Sequence, residues 1–449
     1  MARALLGLVL AFSLSIVEAG FPNKIYGVNL GSWLLVEPWM LPGEWVAMGG
    51  QQCNDCSICI ASEYAFAKAY PGTVDRKFNE HWNSWFNQAD VDSIVNVGIN
   101  TVRIPVSRED LVDRKNEFYP RGGLAQLRRG LKQLSKAGIM AILDHHALPG
   151  VQSPQQQFTG RCTTDVQFYT PYNYHPFENV VAIEAVNEPE MDANVTPGYG
   201  DFQKNFVQVV RAVEFLLGIP VSGLKVKAQV NANVTAALGL TTQLPPIFSP
   251  ETQSVLRDAI PILLKLGVEL SLKEIFNFLP KKQDREPLIT NFMDINWQHN
   301  NPANPADAAI GPQIYDNHLY YSFGGVADPN ENAYLTHICN LDRIEQDAAL
   351  GNGPLFFGEW GLPTQFQASD SFLRKWADAQ KLAYSKDAGW IFWNFKIEIS
   401  SLAGDTARQW SYLEGVRRGY LTKDPSKLLD PHVCDQYIRN VNTTASSLA

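Results

Sequence analysis

Eight short β-rich runs, each bounded by turn residues, recur along the chain: Ile25–Leu30, Ile99–Val106, Ile139–Asp144, Val181–Asn187, Leu288–Asp294, Gln313–Tyr320, Leu355–Glu359 and Trp390–Phe395. With 449 residues and 45% hydrophobic content, the chain has apolar material for one large core or for two or three smaller ones. Helical periods separate several of the runs, such as Leu124, Leu127, Leu131 and Leu134 before Gly138, or Phe202, Phe206, Val209, Val213 and Leu217 before Gly218. Strand–helix alternation of this length predicts an α/β fold, a (β/α)8 barrel of the TIM type.

Two connections break the rhythm. From Met191 to Glu286 the chain is far longer than one helix requires, and Ser249-Pro250 has the form of an N-cap and first helical residue. A mainly helical insertion between the fourth and fifth strands is expected there. Between the third and fourth strands the opposite holds, because Val151–Asn179 carries no amphipathic helical period. A parallel crossover normally covers the sheet with a helix. Its absence predicts a bare strip of outer wall and a weakened fold, or a chain lacking a segment near His175.

Residues 1–19 have the form of a signal peptide, with Arg3, an apolar run from Ala4 to Val17 and the small-residue spacing Val17-Glu18-Ala19. The remainder, 20–449, then reads as a single catalytic domain. Cys53, Cys56, Cys59, Cys162, Cys339 and Cys434 make an even count, which in an exported chain implies up to three disulfides. Sequons at Asn194, Asn233 and Asn442 agree with export. A net charge of −9, with no clustered Lys and Arg, argues against nucleic acid or an anionic membrane as partner and suits a neutral substrate.

Barrels of this kind carry their chemistry at the C-terminal ends of strands. Six predicted strands end in polar or aromatic groups: Arg103-Ile104-Pro105, Asp144-His145-His146, Asn187-Glu188-Pro189, His318-Leu319-Tyr320, Gly358-Glu359-Trp360 and Phe392-Trp393. Two carboxylates among amide, imidazole, phenol and indole groups point to acetal hydrolysis, which needs one acid to protonate the leaving oxygen and one carboxylate to attack or activate water. Glu188 and Glu359, on the fourth and seventh strands, meet that need. His318 and Tyr320, two apart, share a face and suit a pair that orients the nucleophile. His145, His146 and His318 suggest metal ligation as another reading, although adjacent His145 and His146 cannot both face the barrel mouth. Of Trp33, Trp39, Trp45, Trp297, Trp360 and Trp393, only Trp393 is expected to contact a sugar ring.

These residues lie in motifs that resemble family 5 glycoside hydrolases, and within them the fungal exo-β-1,3-glucanases and endo-β-1,6-glucanases. The motifs are GVNLGSWLLVEPW (27–39), NTVRIPV (100–106), LDHHALPG (143–150), VNEP (186–189), DNHLYYSF (316–323), GEW (358–360) and GWIFWNFK (389–396), in the family's order. The resemblance implies a retaining β-glucan hydrolase with Glu188 as acid/base and Glu359 as nucleophile. It also implies a sugar subsite lined by Glu37, Arg103, His146, Asn187, His318, Tyr320 and Trp393. No metal or organic cofactor is implied, and the expected partner is a β-glucan polysaccharide or oligosaccharide bound by a secreted monomer. GEWVAMG (43–49), REDLVD (108–113) and QQQFTG (155–160) resemble the β-1,6 enzymes more than the β-1,3 ones. Three positions depart from the family: Ser107-Arg108-Glu109 follow RIPV where Gly-Tyr-Trp is usual, Ala147 replaces a glycine, and Phe395 replaces a tryptophan. A glucan-binding barrel with impaired catalysis is therefore the competing reading.

Overall fold

The computed structural model describes residues 22–107, 118–170, 184–216, 249–250, 252–253, 287–294, 297 and 311–438. Seven strands, β1 (Ile25–Asn29), β2 (Thr101–Ser107), β3 (Met140–Ala147), β4 (Thr290–Met293), β5 (Gln313–His318), β6 (Leu355–Glu359) and β7 (Gly389–Phe392), form one sheet in the order β3-β2-β1-β7-β6-β5-β4. Every neighbouring pair is parallel. The predicted fourth strand is reduced to two bridges, in which Glu184 pairs with Asp144 of β3 and with Asn291 of β4. Backbone bonds from Glu184 N to Leu143 O and from Ala185 N to Asn291 O, each 3.0 Å, close the ring at that point. Residues 181–183 of the predicted run lie outside the described residues.

Alternation along the strands sorts the side chains into two sets. Ile25, Ile142, Ile314, Phe356 and Ile391 meet inside the barrel and plug its lower end. Val28, Val102, Ile104, Leu143, Phe357 and Phe392 belong to the larger outer core. The helix Gly123–Lys136 buries Leu127, Leu131 and Leu134 there, as its period predicts. Each such leucine contributes roughly 1.5–3 kcal/mol by leaving water. Ser369 and Asn330 cap the helices Asp370–Tyr384 and Glu331–Cys339 by accepting from Phe372 N and Ala333 N.

The insertion begins with a helix over Tyr199–Leu216, which buries Phe202, Phe206 and Val209. Further along, Ser249 Oγ accepts from Thr252 N at 3.1 Å, the N-cap expected of Ser249-Pro250. The rest of the insertion lies outside the described residues.

After β3, residues 148–170 form no α-helix, only a 3-10 turn at Gln157–Thr159. On β3 the wall expected to be bare is largely covered: of its outward residues Ala141 is half-buried, and Leu143 and His145 are buried. Phe168 packs its ring against Phe202 of the insertion helix, with centroids 5.5 Å apart. Gln152 Nε2 donates to the carbonyls of His146 (2.7 Å) and Asn187 (3.1 Å), and Ser153 Oγ donates to that of Glu188 (2.8 Å). The irregular crossover is therefore tied to the turn that carries Glu188. Residues 171–183, which include His175, lie outside the described residues.

All six cysteines pair, as Cys53–Cys59, Cys56–Cys162 and Cys339–Cys434. No helix among the described residues is long and apolar enough to cross a membrane.

Candidate active site

The mouth of the barrel is organised by Arg103, which β2 places fully buried at its centre. Its guanidinium donates from Nε to Glu184 Oε2 (2.8 Å), from Nη1 to Glu359 Oε1 (2.8 Å) and Asn29 Oδ1 (3.1 Å), and from Nη2 to Asn187 Oδ1 (2.8 Å). Asp144 lies 3.0 Å from Nη1 and Asp316 3.6 Å from Nε. A buried charge needs this many partners, since an unpaired one would cost several kcal/mol.

Glu359 ends β6, where a register shift against β5 brings it opposite His318. Tyr320 donates its hydroxyl to Glu359 Oε2 at 2.9 Å, so both carboxylate oxygens are held. Burial pushes the Glu359 carboxyl above its usual value, against the pull of His318 and Arg103. The preceding residue must be glycine: a Cβ on Gly358 would run into Asp316 Oδ2, and Gly358 N donates to the other oxygen of that carboxylate at 2.6 Å.

Opposite, Glu188 sits at φ 39°, a left-handed conformation that L side chains rarely adopt and that often marks functional sites. Its Oε1 lies 2.7 Å from His318 Nδ1. Burial alone would lower the basicity of His318, but Glu359 (3.6 Å), Asp316 (3.7 Å) and Glu188 together hold the imidazole protonated well above its usual range. Burial raises Glu188, and the hydrogen bond and charge of His318 outweigh it, so Glu188 is held below its usual value. One oxygen of Glu188, one of Glu359 and a nitrogen of His318 all lie within 4.8 Å of one another.

The remaining predicted residues line the same hollow. His146 Nδ1 lies 2.6 Å from Asp144 Oδ2, and its Nε2 lies 3.8 Å from Glu37 Oε1. Burial drives the His146 pKa down to about 3, so this imidazole is neutral. Its ring stacks on Trp393, with centroids 5.3 Å apart and planes within 10°. Burial likewise pushes Glu37 up to about 8, although Trp39 Nε1 donates to its Oε2 at 2.9 Å. Asn187 uses its oxygen on Arg103 and keeps Nδ2 buried without a partner. Glu37, Arg103, His146, Asn187, Glu188, His318, Tyr320, Glu359 and Trp393 thus converge on one cavity mouth.

Several neighbours went unassigned from sequence. Asp144 and Asp316 each stand two residues before a site histidine, a period-two spacing that places them on the same inner face. Glu184 faces inward from the closing segment, and Gln152 pins the Asn187-Glu188 turn. Trp410 is the largest omission: its ring lies 5.2 Å from Trp39 and 5.5 Å from Tyr320, forming an aromatic rim that exposed Phe323 extends. Of the six tryptophans considered from sequence, Trp33, Trp45 and Trp360 are core, while Trp297 packs its ring 6.0 Å from His318.

Relatives fit this geometry. The glucan endo-1,6-beta-glucosidase B of Emericella nidulans is 28% identical, over 92% of this chain and 88% of that protein. The probable glucan endo-1,6-beta-glucosidase B of Neosartorya fischeri is 30% identical, over 92% and 90%. A probable glucan 1,3-beta-glucosidase A of Aspergillus niger matches at 30% identity, over 38% of this chain and 42% of its own length. The crystal structure of rutinosidase from Aspergillus niger shares the fold, with a TM-score of 0.57 at 17% identity over 89% of this chain and 99% of that one. Residues 68–398 match the Cellulase family, described as glycosyl hydrolase family 5. With that match covering well over half its length, and with the barrel and its two facing glutamates in place, the chain belongs to glycosyl hydrolase family 5.

Proposed function

We propose that the protein is a secreted, monomeric β-glucan hydrolase that works by double displacement, with Glu359 as nucleophile and Glu188 as acid/base. The observation that supports this most is the short gap between the two carboxylates, whose oxygens approach within 4.8 Å. Retaining pairs stand ~5–5.5 Å apart, while inverting pairs are spread to ~6.5–9.5 Å to admit a water.

Arg103 and Tyr320 hold one Glu359 oxygen each and favour its ionised form against burial, ready to attack the anomeric carbon. The proton for the leaving oxygen is stored on the His318–Glu188 pair. Glu359 is the strongest support of the His318 charge. When Glu359 forms the glycosyl ester, that support goes, and the proton moves through Glu188 to the departing oxygen. Glu188 then takes a proton from water, whose oxygen displaces Glu359 and regenerates the free carboxylate with net retention. Trp393 on His146, neutral Glu37 and the spare Nδ2 of Asn187 supply a stacking face and hydrogen-bonding groups for the sugar in the cleaved subsite.

The relatives that match along nine-tenths of the chain are β-1,6 enzymes by name, and the β-1,3 match covers about two-fifths. A β-1,6-linked glucan is accordingly the first substrate to test, and a β-1,3-linked one the second. Export rests on the leader at 1–19 and on the pairing of all six cysteines. Purified protein should release reducing sugar from pustulan or laminarin, unaffected by a chelator, and Glu188→Gln and Glu359→Gln should each abolish release while keeping the fold. Full activity in either variant refutes the assignment. Tight binding to insoluble glucan without turnover by the native protein favours the impaired, glucan-binding reading.

A further inference from the structure

Beneath the two glutamates lies a second group of buried acids that the mechanism leaves unused. Glu184 Oε2 accepts from Arg103 Nε at 2.8 Å, and its other oxygen is buried without a partner. An oxygen of Glu184, one of Asp316 and a nitrogen of His318 lie within 4.8 Å of one another. Arg103 from β2, Asp144 from β3, and Asp316 and His318 from β5 are the ionisable groups that face Glu184. Carboxyl groups crowded this closely away from water cannot all stay ionised. Asp316 is the better-held of the two, since Gly358 N donates to it at 2.6 Å and both Arg103 and His318 lie within 3.7 Å. Glu184 accepts one hydrogen bond, from Arg103 Nε, and His318 comes no nearer than an unbonded approach within 4.8 Å.

We propose that Glu184 is a positioning residue that acts as an uncharged carboxylic acid: it fixes Arg103 Nε, and so aims Nη1 at Glu359, without competing with Glu359 for the guanidinium charge. Burial, only partly offset by Arg103, supports the neutral form by holding Glu184 well above 4.5. A charged Glu184 at the same distance would draw on the cation that keeps Glu359 ionised. The closing segment therefore gives the barrel its last backbone bridge and the nucleophile its alignment through one residue. This inference rests on Glu359 being the nucleophile.

The test compares Glu184→Ala, Glu184→Gln and the native protein. The alanine variant should lose at least about 30-fold in kcat with KM within about threefold, and its acid limb should move to higher pH as Arg103 loses its anchor. Glutamine, which keeps the acceptor and carries no charge, should recover most of that loss and return the native pH limits. A second readout does not depend on turnover. A neutral Glu184 must take up a proton on folding once pH exceeds the unfolded value of 4.5, so native stability declines there as pH rises. The Tm of the glutamine variant should gain on the native Tm by about 3 °C between pH 5 and 7. A constant Tm gap, a glutamine variant as impaired as alanine, or an alanine variant with native kcat overturns the proposal. If the native protein turns over no glucan, the functional reading fails instead, and the Tm comparison alone decides the charge of Glu184.

Discussion

Replacing Tyr320 by phenylalanine removes a single hydrogen bond, from the hydroxyl to Glu359 Oε2 at 2.9 Å, and keeps the ring contacts to Trp410 and Phe323. A hydrogen bond to a charged group contributes about 1.5–3 kcal/mol. If the whole of that is lost from the ionised nucleophile, kcat/KM at the optimum falls about 10- to 150-fold. The same loss raises the Glu359 pKa by about 1–2 units. Burial already holds that pKa above 4.5, and Glu359 must be ionised to attack, so activity disappears as pH falls through it. The acid limb of the kcat/KM profile on pustulan or laminarin therefore starts above 4.5 in the native protein and moves further up in Tyr320→Phe. The basic limb, set by the protonated His318–Glu188 pair, stays in place above 6.5. A variant with native rate and an unmoved acid limb would show that Tyr320 does not support the charge of Glu359.

Glu37→Gln tests a buried neutral acid at the rim of the site. Its folded pKa of about 8 stands above the unfolded 4.5, so native stability is lost as pH rises between them, by up to about 5 kcal/mol. Urea midpoints of native and variant protein should diverge in favour of the variant from pH 4.5 to 8, and parallel curves would place the proton elsewhere. Gly358→Ala pushes a Cβ into the Asp316 carboxylate and should cost about 1–3 kcal/mol of stability together with most of kcat; a native Tm and rate would mean that Asp316 can move without consequence. Cys339→Ser with Cys434→Ser opens the bridge between the helix Glu331–Cys339 and the C-terminal segment, and should lower stability by about 2–4 kcal/mol with little change in KM.

Much of this was legible in the chain because a barrel imposes two periodicities at once. Seven of the eight β-rich runs form strands: Leu355–Glu359 coincides with its run, and each of the others has at least one end displaced by one to three residues. Of the fourth run, the described residues show bridges at Glu184, whose carboxylate is also paired to Arg103. Strand-end polarity brought out eight of the nine residues at the mouth, and Glu37 followed from the family resemblance alone. Glu184, Asp144 and Asp316 are fully buried around Arg103; the spacing of the two aspartates from His146 and His318 signals them, and the need of Arg103 for counter-charges reveals Glu184. Trp410 lies far from any strand end in sequence and reaches the rim through packing on Trp39 and Tyr320. The crossover after β3 has no α-helix over 148–170, as its sequence predicts, and side-chain bonds from Gln152 and Ser153 to the backbone tie it to the Glu188 turn.

The stereochemistry of the first product tests the central claim most directly. Proton NMR of the reducing end released in the opening minutes of pustulan or laminarin hydrolysis should show the β anomer alone, with the α anomer growing in only at the rate of mutarotation. The α anomer appearing first would mean inversion through a single displacement by water, and Glu359 could not then be a nucleophile that bonds to the sugar.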